Sequence, residues 1–154
     1  MNAFDRNVRV RFLLFDFLHG KVEHVAKMIR RSEHAFYAFA SDTVDALLEL
    51  RRRATAAGKA HLLEVRLLDK DPEGRWYIVD ARPDAIPKGF VVPRASECKS
   101  AEASGDRVSV VDVLRHAEVV ERLWAGAREL DDQWWEEYKT WKIDPDTQRM
   151  LGQR

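Results

Sequence analysis

From Val110 to Asp144 the chain keeps a single periodicity. Val113, Ala117, Val120, Trp124, Ala127, Asp131, Trp134, Tyr138 and Trp141 follow one another at alternating spacings of 4 and 3. That alternation lines residues up on one seam of a helix, as in a coiled coil. It predicts a long C-terminal helix over about 110–142. Ser109 is the expected N-cap, Asp112 can reach back to the first turn, and Val108 and Val113 can staple the start. Asp144-Pro145 ends the pattern. Asp131 is the one polar residue in the seam.

Length makes this feature restrictive. About 33 residues at ~1.5 Å each span roughly 50 Å. A compact chain of 154 residues has a diameter of roughly 40 Å. Two outcomes are open. The helix breaks, with Gly126 and Asp131-Asp132 the natural places, and its rings fill the core. Alternatively it continues, and its aromatics meet a partner or a second copy, since Trp and Tyr are favoured interface anchors. Trp124, Trp134, Trp135, Tyr138 and Trp141 are the candidate partner-binding residues. Each large ring can bury ~150–250 Å², which makes exposure to water costly.

The rest of the sequence reads as an α+β domain with one unit over residues 1–154. Residues 7–17 alternate, with Val8, Val10, Phe12 and Leu14 on one side, and predict a strand. Residues 22–31 fit both periods; the turn at Leu18–Lys21 favours a second strand. Phe36, Tyr37 and Phe39 either end that sheet or lead into a helix. A helix is predicted over about 42–57, with Ser41 as N-cap, Val44, Leu47, Leu48 and Ala54 as its apolar stripe, and Gly58 as its stop. Next comes a hairpin: 61–68 runs out, Lys70-Asp71-Pro72-Glu73-Gly74 turns, and 76–82 returns. Phe90-Val91-Val92 is a further short strand ended by Pro93. Residues 94–107 read as a mobile loop. The expected fold is an antiparallel sheet of four to five strands, the 42–57 helix packed on it, and the long C-terminal helix.

Charge excludes some function classes. The chain carries 26 basic and 26 acidic groups. A dedicated nucleic-acid binder shows a basic excess, so nucleic acid is not the expected partner. The balance hides an asymmetry: residues 1–60 carry 11 basic and 7 acidic groups, and residues 101–154 carry 8 and 12. Opposed halves suit contact between them or an acidic surface shown to a partner. No apolar run approaches the ~20 residues of a membrane span. Cys98 is the only cysteine. The expected location is the cytoplasm.

Catalytic signatures are missing. His19 and His24 lie near Asp16 and Glu23, but the spacing matches no metal motif. No phosphate loop and no nucleophile elbow is present. A hairpin centred near Pro72 places Glu64 opposite Asp80, where two carboxylates need a cation between them. Arg66 and Arg82 supply one as a salt-bridge ladder; a divalent metal is the alternative, and would imply a metal-assisted nuclease. A metal-free ribonuclease-toxin reading would use His61, Arg75, Arg82 and Lys88. No cofactor or metal is expected. The function read from the sequence is non-catalytic protein binding, by a small accessory protein of bacterial or phage type (immunity protein, inhibitor or adaptor), through the aromatic, acidic C-terminal helix or as a homodimer.

Overall fold

The structure, a computed structural model, describes residues 7, 9–28, 30–70, 75–79, 88–92, 106–107 and 110–152. It opens with strand β1 (Val10–Phe15), helix α1 (Val22–Met28), helix α2 (Glu33–Ala56), a 3₁₀ turn (Ala60–Leu62) and strand β2 (Leu63–Leu68). β1 and β2 pair in parallel, from Val10 against Leu63 to Phe15 against Leu68. Parallel neighbours need a long crossover, and α1 and α2 provide it.

Two short antiparallel strands follow, β3 (Arg75–Val79) and β4 (Lys88–Val92), joined by β5 (Asp106–Arg107) in a separate three-stranded sheet. Helix α3 (Val110–Gly126) packs against β2, β3 and β4. β6 (Arg128–Glu129) then adds antiparallel to β2, giving the first sheet the order β1-β2-β6. Helices α4 (Asp132–Ile143) and α5 (Pro145–Leu151) complete the chain.

The class is α+β, but the expected single antiparallel sheet of four to five strands is corrected. The first sheet is mixed, and β2 does not pair with β3. Glu64 therefore lies beside Arg11 of β1 and not opposite Asp80; Asp80 and Arg82 are outside the described residues. β2 pairs instead with β1, a strand far earlier in the chain. Phe12 and Leu14 of β1 and Val65 and Leu67 of β2 share the core face.

Residues 22–28 form a helix, not the expected strand. Val22, Val25 and Ala26 are buried on one side of it. Its end is closed by Arg30 in the left-handed region at φ 54, with the Arg31 amide donating to the Ala26 carbonyl at 2.9 Å. The long helix then begins at Glu33, about a dozen residues after α1 starts, and not at 42. Ser32 has the same capping chemistry as Ser41 and accepts from the Ala35 amide. Phe36 extends the stripe of Val44, Leu47 and Ala54 backwards, so Ser41 becomes a buried mid-helix residue. The stop falls as expected: Gly58 takes φ 68, and the Lys59 amide donates to the Ala54 carbonyl.

The continuous helix over about 110–142 is also corrected; it breaks after Gly126. Arg128 and Glu129 leave helical conformation to extend the sheet, and the Leu130 amide donates to the Val65 carbonyl at 3.1 Å. Asp131, the residue that violates the seam, is the N-cap of α4: its side chain accepts from the Trp134 amide at 2.9 Å. Asp144 caps α5 in the same way, with Pro145 at the first helical position. The proposed cap Ser109 and most of loop 94–107 lie outside the described residues. No helix among the described residues is long and apolar enough to cross a membrane.

Candidate functional site

The break in the C-terminal helix decides where the aromatic rings go. Trp134 and Tyr138 are each 1 % exposed, Trp135 4 % and Trp124 7 %. Trp141 is partly buried against the same core. Trp134 and Tyr138 stack at 5.7 Å with their planes 1° apart. Phe17 presents its edge to Trp134, Tyr138 and Trp141 at 6.0, 6.2 and 5.3 Å, a favoured geometry for π faces. Trp124 sits apart from these, under the guanidinium groups of Arg11 and Arg66. All five residues singled out in the sequence thus pack within the chain, four of them with under a tenth of their surface in water.

Two polar clusters hold α4 in place. The first surrounds Asp16, at the C-terminal end of β1 and 6 % exposed. Its carboxylate accepts from Trp134 Nε1 at 2.9 Å and from Arg128 at 2.6 Å, and His19 Nδ1 lies 3.1 Å away. Burial works against the charge. The hydrogen bonds from Trp134, His19 and Arg128, with the charge of His19, more than offset it and hold the carboxyl below its usual range. An Asp–His pair is the skeleton of a general base. Here the outer nitrogen, Nε2, is spent on Glu137 Oε2 at 2.9 Å, so the pair ties the loop after β1 to α4.

The second cluster joins α2 to α4. The Tyr138 hydroxyl donates to Asp45 Oδ1 at 2.6 Å and lies 3.1 Å from the Ser41 carbonyl. Lys142 Nζ donates to Ser41 Oγ and to Asp45 Oδ2. Burial first, then the bond to Asp45, push the Tyr138 phenol above its usual range, with Ser41 acting the other way. A serine beside a lysine is a nucleophile–base pairing in principle. Ser41 is 0 % exposed, and the ammonium donates to it, so no substrate reaches the hydroxyl. Tyr138→Phe is expected to cost roughly 0.5–1.5 kcal/mol, the usual net worth of a hydrogen bond, since Asp45 is half exposed and keeps Lys142. Urea denaturation measures it; an unchanged midpoint would show that the cluster does not hold the helices together.

Of the groups of the alternative nuclease reading, the side chains of Glu64 and His61 are among those described. Glu64 is paired with Arg9 at 3.0 Å and Arg11 at 3.7 Å. His61 is exposed on the 3₁₀ turn. Among the described residues, no three His, Cys, Asp or Glu side chains are placed to hold a metal ion.

What the sequence did not single out is the outer face of α2. Two hollows of about 430 and 410 Å³ adjoin there, with Phe39 and Asp42 lining both. Ala35, Ala38, Met150 and Leu151 line one; Phe12, Ala46, Leu47 and Leu50 line the other. Phe39 is 49 % exposed. The signal was in the sequence: Ala35, Phe39, Ala46 and Leu50 share a helical stripe once the helix starts at Glu33. Starting it at 42 cut the stripe in half. Compared with protein-family models, with curated proteins and with solved structures, the chain matches none of them.

Proposed function

We propose that this chain is a non-catalytic protein-binding protein that receives a partner helix along the outer face of α2. The observation that carries the reading is the half-exposed ring of Phe39, which lines two adjoining hollows whose other walls are mostly apolar. The hollows extend along α2 from Ala35 to Leu50, about 22 Å or four turns, with Asp42 at their middle. Helix-in-groove docking uses apolar anchors along one such face. Val111 and Leu114 are also exposed, on α3, but Glu118 and Arg122 end that stripe after one turn. The polar clusters support the non-catalytic part, since each spends its reactive groups on holding helices together. The accessory-protein reading made from the sequence is kept; the surface is moved from the C-terminal aromatics to α2.

The test is a selection of displayed helix-forming peptides on the full chain. Ala46 is exposed, so Ala46→Arg fills a hollow without touching the core. Selected peptides are expected to lose about tenfold or more in affinity for Ala46→Arg and for Phe39→Ala, as for interface anchors. Circular dichroism checks that both variants stay folded. Peptides indifferent to both substitutions would overturn the reading.

A further inference from the structure

The loop after β1 reaches helix α4 through one histidine, and both of its ring nitrogens face a carboxylate. His19 Nδ1 lies 3.1 Å from Asp16 Oδ2 and 3.3 Å from Oδ1. His19 Nε2 lies 2.9 Å from Glu137 Oε2. An ionised carboxylate only accepts hydrogen bonds, and a neutral imidazole carries a single N–H. Neutral His19 can therefore satisfy one side of this bridge and not the other. With both nitrogens protonated it donates to both.

The surroundings decide which side gives way. Asp16 is fixed: its carboxylate also accepts from Trp134 Nε1 and from Arg128, and its carbonyl accepts from the Gly20 amide at 2.7 Å. The loop is anchored as well. Phe17 is buried among the rings of α4, and Gly20 lies so close to Phe15 that an added Cβ would meet that ring at 2.4 Å. Glu137 is different. Its side chain is 38 % exposed, and Gln133 Nε2 donates to its other oxygen at 2.9 Å. It can turn to water and keep Gln133. Among the described residues, the charged groups at His19 are Asp16 from its own loop, Glu137 from α4 and, behind Asp16, Arg128 from β6. Two carboxylates against one guanidinium favour a cation between them.

We infer that His19 is a proton-operated clasp between the loop after β1 and α4, closed on Glu137 when the imidazole carries two protons and released from it when it carries one. Histidine is the side chain whose charge ordinarily changes between about pH 5 and 8, so the clasp works in that window. Asp16 stays ionised throughout it, because its carboxyl is held below the usual range. Closing takes up a proton, so within the window lower pH favours the closed form and higher pH the open one. Release loosens the first turns of α4, where Trp134 enters the core. The Asp45–Tyr138–Lys142 cluster further along the helix is left in place.

The test follows the Trp134 Nε1–H, which is bonded to Asp16 and reports the seating of α4. Its hydrogen exchange is measured by NMR on the full chain between about pH 5.5 and 8, corrected for the intrinsic rate, in wild type, His19→Gln and Glu137→Gln. Both replaced side chains are more than a third exposed, so both variants are expected to fold. In the wild type, protection is expected to fall about two- to fivefold from the lower to the higher pH, the scale of a partly exposed ion pair. Neither variant is expected to show this fall, since neither keeps an imidazole facing two carboxylates. A flat wild-type profile overturns the inference. So does a fall that persists in His19→Gln, which would assign it to another group. A fall lost in His19→Gln but kept in Glu137→Gln would leave His19 acting through Asp16 alone, and overturns the clasp on α4.

Discussion

Trp134→Ala is expected to remove roughly 3–5 kcal/mol of stability, the usual cost of truncating a large buried aromatic. Against a total of about 5–15 kcal/mol for a domain, that leaves the chain marginal or unfolded. The ring is 1 % exposed, stacks on Tyr138, meets the edge of Phe17 and contacts Trp135. Its removal also leaves Asp16 without the Nε1 donor. Were these rings interface anchors, the opposite would be expected, a folded chain with weakened association. The structure makes α4 part of the core. Trp134→Phe separates the two contributions: it keeps most of the apolar burial, loses the hydrogen bond, and is expected to cost less than Trp134→Ala. Urea denaturation read by far-ultraviolet circular dichroism decides it. A full-strength transition in Trp134→Ala at the wild-type midpoint would show that the ring is not in the core.

Asp16→Ala is expected to cost roughly 2–4 kcal/mol. The buried Trp134 Nε1–H is then left without an acceptor, which costs about 1–3 kcal/mol, and the paired cation loses its counter-charge. Arg128 limits the damage, since its side chain is half exposed and can return to water. The same carboxylate predicts an acid limit to stability. Its folded value lies below the ordinary 3.8, so the unfolded chain takes up a proton first as pH falls. The contribution of Asp16 is therefore fully present above about pH 4 and is lost as pH drops through the lowered folded value. Asp16→Asn is expected to be less stable than wild type at pH 7 and to show a shallower loss as pH falls below about 4. Equal acid slopes in the two proteins would show that other carboxylates set the limit.

Several elements could be read directly because local chemistry specifies them. The alternation of residues 10–15 and 63–68 marks β1 and β2. Gly58 ends α2 since the chain there needs a positive φ. Gly126 and Asp131 were visible as weak points of the C-terminal helix, and Asp131 proves to be the cap of α4. The start of α2 was misplaced because Ser32 and Ser41 offer the same cap; packing of Phe36 against the core chooses between them. The seven residues of α1 are too few for periodicity to separate helix from strand.

Pairing and burial were settled only in three dimensions. Leu63, Val65 and Leu67 point to one side of β2 whether its neighbour is the next strand or one far earlier in the chain. The α1–α2 crossover brings up β1, and local turn residues carry no information about that. The aromatic seam poses the same problem. Residues spaced 4 and 3 apart share a helix face whether that face meets another chain or the helix's own domain. Once the chain turns at Gly126, Trp134 and Tyr138 swing onto Phe17 and are consumed by the core. Periodicity states which side of an element is apolar; what covers that side depends on residues distant in sequence.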